Sequence, residues 1–170
     1  MNFIVIEGID GCGKTFLCKK LAKENDWVYI KTPPKSISSK IKCKTELEEL
    51  NRYKKGLLFN AKIIEKKLAK GKTIICDRYY GTYLVDCARL GEKLDFDLEK
   101  VLPKPTKIIH LIASWETIVK RLKKRRIRSE LENDLISDKR AYERLVGEFR
   151  KLGYEERKNE SLDQIINLVN

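Results

Sequence analysis

The eight residues Gly8-Ile9-Asp10-Gly11-Cys12-Gly13-Lys14-Thr15 constrain this chain more than any other stretch. They match the pattern G-x-x-x-x-G-K-[ST] and lie between a short apolar run, Phe3–Ile6, and a segment with helical spacing, Thr15–Glu24. Strand, glycine-rich turn and helix in that order are the context in which the pattern binds phosphate. Gly8, Gly11 and Gly13 let the backbone turn tightly and aim its N–H groups at a β-phosphate, and the helix that starts there adds its positive end. Asp10 and Cys12 complete the loop around the donor nucleotide. Lys14 reaches the β and γ oxygens, and the Thr15 hydroxyl is placed to ligate Mg²⁺, so ATP·Mg²⁺ is the implied cofactor. A P-loop specifies a nucleotide and not a reaction. A GTPase would need a base-reading N-K-x-D, which is absent, and a motor would usually be longer. The class left is phosphoryl transfer to a bound acceptor.

The rest of the chain alternates apolar runs with helical spacings. Trp27–Ile30 reads as a second strand, stopped by Pro33-Pro34. From about Thr45 to Lys70 apolar residues recur every three or four positions, which predicts one long or broken helix, interrupted near Gly56 and closed by Gly71. Lys72–Cys76 is a third strand, Tyr83–Leu90 a short helix, and a polar linker runs to Pro103 and Pro105. Lys107–Ile112 is a fourth strand, Trp115–Lys124 a helix, and Glu132–Leu152 another. Tyr154–Arg157 reads as a fifth, edge strand and Leu162–Val169 as a closing helix. This alternation predicts a single α/β domain over residues 1–170: a five-stranded parallel sheet with helices on both faces.

Asp77 and Arg78 end the third strand, where side chains emerge at the carboxyl edge at which such sheets bind ligands. Arg78 can fork two N–H groups onto a phosphate; Asp77 can hold Mg²⁺-bound water or orient an arginine. The basic stretch Arg121-Leu-Lys-Lys-Arg-Arg-Ile-Arg128 offers cations to the charge that builds on a transferring phosphoryl group. Phe59, on the long helix, fits core packing as well as base stacking. His110, the only histidine, reads as a satisfied strand residue.

These motifs together resemble the thymidylate kinase family of nucleoside-monophosphate kinases over nearly the whole chain. The opening Phe3–Thr15, the loop Lys31-Thr-Pro-Pro-Lys35, the triplet Leu57-Leu58-Phe59, the run Asp77-Arg78-Tyr79 and the ridge Tyr142, Leu145, Phe149 carry the likeness. The resemblance implies a short mobile lid at about 121–131, with Arg125 or Arg128 as the catalytic arginine beside Lys14 and Arg78. It also implies an acceptor site built from Asp10 on the sugar 3′-hydroxyl, Lys35 and Arg78 on the phosphate, Phe59 on the base, and Tyr79 and Asp86. A homodimer is expected on the same ground. The implied reaction is phosphorylation of a (deoxy)nucleoside monophosphate to the diphosphate. Three departures from the pattern point to another monophosphate or a relaxed choice: Ile63 stands where an arginine reads the thymine edge, Asp86-Cys87 replaces a Tyr-Gln-like pair, and Lys35 is a point charge. A deoxynucleoside kinase, with Glu7 as a base on a 5′-hydroxyl, is the second enzyme reading.

Composition bears on partners. The net charge of +12 favours anionic ligands, and a polynucleotide 5′-kinase or nucleic-acid-binding protein is the reading from a different class. Abundant Lys, Glu and Ile fit heat adaptation equally well. No stretch approaches the roughly 18 apolar residues of a membrane span, no signal peptide is evident, and five cysteines without a CxxC pair suggest no disulfide framework. A cytoplasmic location is therefore the expectation.

Overall fold

The computed structural model describes residues 2–159. Five strands, β1 (Phe3–Glu7), β2 (Val28–Lys31), β3 (Ile74–Asp77), β4 (Lys107–Ile112) and β5 (Glu155–Lys158), form one all-parallel sheet in the order β2-β3-β1-β4-β5. From β1 the chain crosses to the edge strand β2, returns to β3 beside β1, and then passes to β4 and β5 on the other side, so the connections diverge around β1 and leave a crevice at its carboxyl end. All five residues of β1 are buried. Side chains alternate across a strand, so Ile4 and Ile6 join one core and Phe3 and Val5 the other.

The first core packs α1 (Lys14–Glu24), α6 (Trp115–Lys123), α7 (Glu130–Ser137) and α8 (Lys139–Lys151) on one face of the sheet through Leu17, Leu21, Ile118, Leu122, Leu135, Leu145 and Phe149. The second packs α3 (Glu46–Leu68), α4 (Tyr80–Leu90) and α5 (Phe96–Val101) on the other through Leu50, Leu57, Ile64, Tyr83 and Leu98. Each large apolar side chain so buried contributes about 1.5–3 kcal/mol of hydrophobic stabilisation. A one-turn helix, α2 (Lys35–Ser38), follows Pro33-Pro34. None of the described helices is long and apolar enough to cross a membrane.

Several elements depart from the sequence expectation, each for a local reason. Helix α3 runs unbroken through Gly56, because that glycine answers a close neighbour: a Cβ there would stand 2.7 Å from Pro33 Cβ. The expected helix 132–152 is two helices that meet at Asp138. Its extended backbone ends α7, and its carboxylate caps α8 by accepting from Arg140 N at 2.8 Å. The expected polar linker contains α5, capped by Asp95, which accepts from the N–H groups of Asp97 and Leu98. Helix α4 begins three residues earlier than its spacing indicates. The closing helix at 162–169 lies outside the described residues.

Candidate active site

The site starts where β1 ends. Gly8 has φ +136°, and a Cβ on it would lie 2.3 Å from Leu111 O, so only glycine lets the loop leave the sheet here. The loop closes on Gly13, φ +104°, which stands at the N-cap of α1 and leaves the first N–H groups of that helix to a ligand. Lys14 is buried, and its ammonium spans the loop, donating to Ile9 O at 2.7 Å and lying 3.7 Å from Cys12 Sγ.

Thr15 and Asp77 meet across the crevice. The Thr15 hydroxyl donates to Asp77 Oδ2 at 2.5 Å, and the Tyr29 hydroxyl donates to the same oxygen at 3.2 Å. Burial and the neighbouring Asp77 charge push the Tyr29 phenol up. The other oxygen, Asp77 Oδ1, is buried with no hydrogen-bond partner among the described residues. Such an oxygen costs free energy unless something meets it. A hard cation with oxygen ligands fits the hydroxyl and carboxylate placed there.

Arg78 follows with φ +71°, a left-handed conformation that turns its side chain back over the loop. Its Nη2 pairs with Asp10 Oδ1 at 2.6 Å and its Nη1 donates to Thr82 Oγ1 at 3.4 Å. Burial opposes the charge on Asp10, but Arg78 and Lys14 outweigh it and hold the carboxyl well below the usual range. Behind this pair Glu7 is fully buried, and its oxygens are engaged. Oε1 accepts from Tyr79 N at 2.9 Å and Thr82 N at 3.2 Å, and Oε2 accepts from the Thr82 hydroxyl at 2.6 Å. Burial raises its pKa against those hydrogen bonds and Arg78. Glu7 thus ties the N-terminus of α4, and Arg78 with it, to the central strand.

Two cavities meet at Asp10, Lys31 and Arg78. One, of about 590 Å³, is lined by Gly11, Gly13, Lys14, Thr15, Asp77, Arg121, Arg125 and Asn159. The other, of about 410 Å³, runs between α3, α4 and the start of α7, and its walls include Leu50, Arg52, Tyr53, Thr82, Asp86 and Arg89. Burial raises the pKa of Asp86, with Arg78 and Arg89 opposing. Arg89 also pairs with Glu46 at 2.6 Å, bridging α4 to α3.

The structure gathers Gly8, Asp10, Gly11, Cys12, Gly13, Lys14, Thr15, Asp77, Arg78, Asp86 and Arg125 in or beside these cavities, and leaves four expected residues outside them. Lys35 is exposed on α2, because the chain turns into that helix right after Pro34; Lys31, at the end of β2 and in register with Asp77, takes the position at the junction. Phe59 is 44% exposed: the phase of α3 that buries Leu57, Asn60 and Ile64 turns it outward, and Leu50 and Tyr53 face the cavity instead. Tyr79 is a core residue, edge-on to Phe3 and donating to Pro103 O at 3.0 Å. Arg128 is exposed and held by Asn133 Oδ1 and Arg125 O, each at 3.0 Å. Arg125 pairs with Glu132, whose carboxylate also completes the capping box at Ser129 and so ties the basic stretch to the start of α7. Sequence reasoning reaches Arg121 only as the head of the basic stretch and does not reach Asn159, Arg52 or Arg89. The parallel pairing of Lys31 with Asp77, and the i,i+3 spacing of Arg89 from Asp86, were the signals available for the acceptor side. His110 stays apart, stacked on Phe149, with Nδ1 3.6 Å from Glu156 and Nε2 buried without a hydrogen-bond partner among the described residues, so it is less satisfied than the sequence reading expects.

Known proteins carry the same fold. The solved thymidylate kinase of Candida albicans superposes with a TM-score of 0.70 at 17% identity, covering 99% of this chain and 88% of that one. The thymidylate kinase of Ehrlichia chaffeensis does so with 0.67 at 18% identity, covering 99% and 98%. These establish the fold. In sequence, the chain is 34% identical over 130 residues to a protein of Methanocaldococcus jannaschii described as "Probable thymidylate kinase", covering 71% of this chain and 69% of the relative. It is 32% identical over 151 residues to a protein of Pyrococcus horikoshii with the same description, covering 76% and 74%. The thymidylate kinase family profile matches residues 6–162, which takes in the P-loop, the Asp77-Arg78 strand end and the basic stretch 121–128 alike, and this chain belongs to that family.

Proposed function

We propose that the protein transfers the γ-phosphoryl group of ATP to a (deoxy)nucleoside monophosphate, with dTMP the first acceptor to test. The observation that carries this reading is the meeting of two cavities at one arginine. The P-loop opens into one, a nucleotide-sized space opens into the other, and Arg78 stands between them. In that arrangement Lys14 and the loop N–H groups take the β- and γ-phosphates, and Arg78 exchanges its Asp10 partner for the acceptor phosphate. Asp10, kept ionised, then accepts from a sugar hydroxyl. An oxygen of the acceptor phosphate attacks the γ-phosphorus as the bond to the ADP oxygen breaks, and Arg125 faces the charge that develops. Thr15 and Asp77 would hold Mg²⁺, which supplies charge neutralisation on the phosphates. A monophosphate is already an anion, so no general base is needed. That agrees with Glu7, whose two oxygens serve α4 and are not open to a hydroxyl. The same fact weighs against the deoxynucleoside kinase reading.

The test is ADP release from Mg·ATP with each monophosphate, thymidine and a 5′-hydroxyl oligonucleotide offered separately. Turnover with one or more monophosphates is expected. Turnover confined to thymidine or the oligonucleotide overturns the reading.

A further inference from the structure

The P-loop backbone is gripped by two side chains on the wall of its own cavity, Arg121 and Asn159, that the reaction scheme leaves unused. Arg121 Nη1 donates to Gly11 O and to Cys12 O, both at 3.1 Å. Asn159 Nδ2 donates to Cys12 O as well, and its own backbone N–H is fixed on Ile112 O at 2.8 Å. The base of the Arg121 contact is rigid. Helix α6 is pressed against the loop so closely that a Cβ on Gly11 would stand 3.2 Å from Ile118 Cγ2 and from Leu122 Cγ, and both of those residues are fully buried. Arg121 follows Ile118 by one turn of the same helix, and its fork arrives from that packed face.

A planar trans peptide holds its C=O and N–H on opposite sides. The carbonyls of Gly11 and Cys12 share peptide planes with the N–H groups of Cys12 and Gly13. Holding both carbonyls toward α6 therefore holds both N–H groups away from it, on the side where the loop cradles an anion. A cation at the carbonyl end also polarises the two peptides and strengthens their N–H groups as donors. We infer that Arg121 is a positioning residue for the donor phosphates. Together with Asn159, it sets the direction of the P-loop amides, and it makes that setting depend on the seat of helix α6. The inference rests on the donor-nucleotide reading above.

Calorimetric titration of the full chain with ADP and with tripolyphosphate, a phosphate chain without a base, tests it. The proteins are the wild type, Arg121→Ala, Asn159→Ala and the double variant. Arg121→Ala is expected to weaken both ligands by the same factor, roughly tenfold. Asn159→Ala should weaken both by less. Because the two side chains share the Cys12 carbonyl, either one still holds it alone, and the double variant should lose more than the product of the single losses. Weakening of ADP without tripolyphosphate would mean that Arg121 serves the adenosine end, and overturns the inference. So does an unchanged affinity for both. Strictly multiplicative losses overturn it too, since they describe an arginine that touches phosphate independently of the loop. Arg121→Lys, which keeps a donor able to reach a carbonyl, should recover part of the loss and serves if the alanine variant is too unstable to titrate. A lysine variant as weak as the alanine one also counts against the inference. A wild-type chain that binds neither ligand would instead remove the donor reading itself.

Discussion

Alanine at Gly56 and alanine at Gly147 should move stability in opposite directions, although both glycines lie inside helices. In a helix interior, Gly→Ala ordinarily gains about 1 kcal/mol, because alanine loses less backbone freedom on folding. At Gly147 in α8 an added Cβ meets nothing within 4 Å, so the whole gain should appear. At Gly56 in α3 the new Cβ would stand 2.7 Å from Pro33 Cβ and 2.9 Å from Pro33 Cα, about 0.7 Å short of the 3.4 Å at which ordinary contact begins. The obstacle is a proline ring and its backbone, which no rotamer change can clear. Overpacking of this kind costs about 1–3 kcal/mol, so the net effect is a loss of about 1 kcal/mol where Gly147→Ala gains about as much. For a chain of this size each kcal/mol moves Tm by about 2–4 °C, and thermal melts resolve the difference. The loop that must retreat carries Pro33 on the wall of the acceptor cavity and is tied to α3 by Asn60 Nδ2, 3.0 Å from both Lys31 O and Thr32 Oγ1. Gly56→Ala should therefore also raise KM for the acceptor several-fold while KM for ATP stays put. A Gly56→Ala protein that melts higher, as Gly147→Ala does, and keeps its acceptor KM would refute the packing argument.

Asp77→Asn removes the charge from the partnerless Oδ1 but keeps an acceptor for Thr15; kcat should fall roughly a hundredfold and the Mg²⁺ requirement should rise, and a magnesium titration that superposes on the wild type sinks the assignment. Lys31→Ala should raise acceptor KM about tenfold, in line with the loss of one charge-assisted phosphate contact, whereas Lys35→Ala should leave it alone; equal effects in steady-state kinetics would restore Lys35 to the site. Glu7→Gln can still accept from Tyr79 and Thr82 through Oε1 and donate to the Thr82 hydroxyl, so turnover with a monophosphate should stay within about threefold; a loss of about 10²–10⁴ would mark Glu7 as a general base after all. Burial lowers the His110 pKa to about 4 despite Glu156, so the unfolded chain, whose histidine titrates near pH ~6.5, takes up the proton first as pH falls. The stability owed to this neutral imidazole is complete above pH ~6.5 and declines by roughly 3 kcal/mol toward pH ~4; melts of wild type and His110→Gln that run parallel across that window would refute it.

The donor half of the site was legible because it is local. Eight consecutive residues carry its geometry, and Thr15 needed only a strand end, Asp77, to complete it. On the acceptor side the structure leaves Lys35 and Phe59 outside the cavities, and the reasons differ. Helical periodicity shows that α3 has an apolar face, but Phe59 flanks that face, and only the packing of Leu57, Asn60 and Ile64 decides the phase. For the basic residue, proximity to Pro33-Pro34 was the wrong guide, since α2 carries Lys35 off while the register leaves Lys31 behind. Gly56 was read as an interruption on propensity alone; its cause, Pro33, lies 23 positions away. Conversely, the break at Asp138 had a local signal, a cap-forming Ser-Asp pair ahead of Lys139, which a continuous apolar spacing concealed.

Register explains why so few residues suffice to build the centre. Ile6 pairs with Asp77, Lys31 with Asp77, and Glu7 with His110, so the strand ends present their last side chains along one edge of the sheet. A slip of one residue in β3 would send Asp77 to the opposite face, separate it from Thr15, and carry Arg78 away from Asp10. The buried apolar residues on both faces of β1 and β3 forbid that slip, because it would exchange every core contact at once. Glu7 adds a second lock by accepting from two N–H groups of the strand-to-helix turn that follows Arg78. The hydrophobic pattern of the central strands is thus also the device that aims the charged groups. By this reasoning a variant that loosens Glu7's hold on α4 should impair the acceptor phosphate site through Arg78 before it disturbs the P-loop, which Arg121, Asn159 and Lys14 hold from the other side.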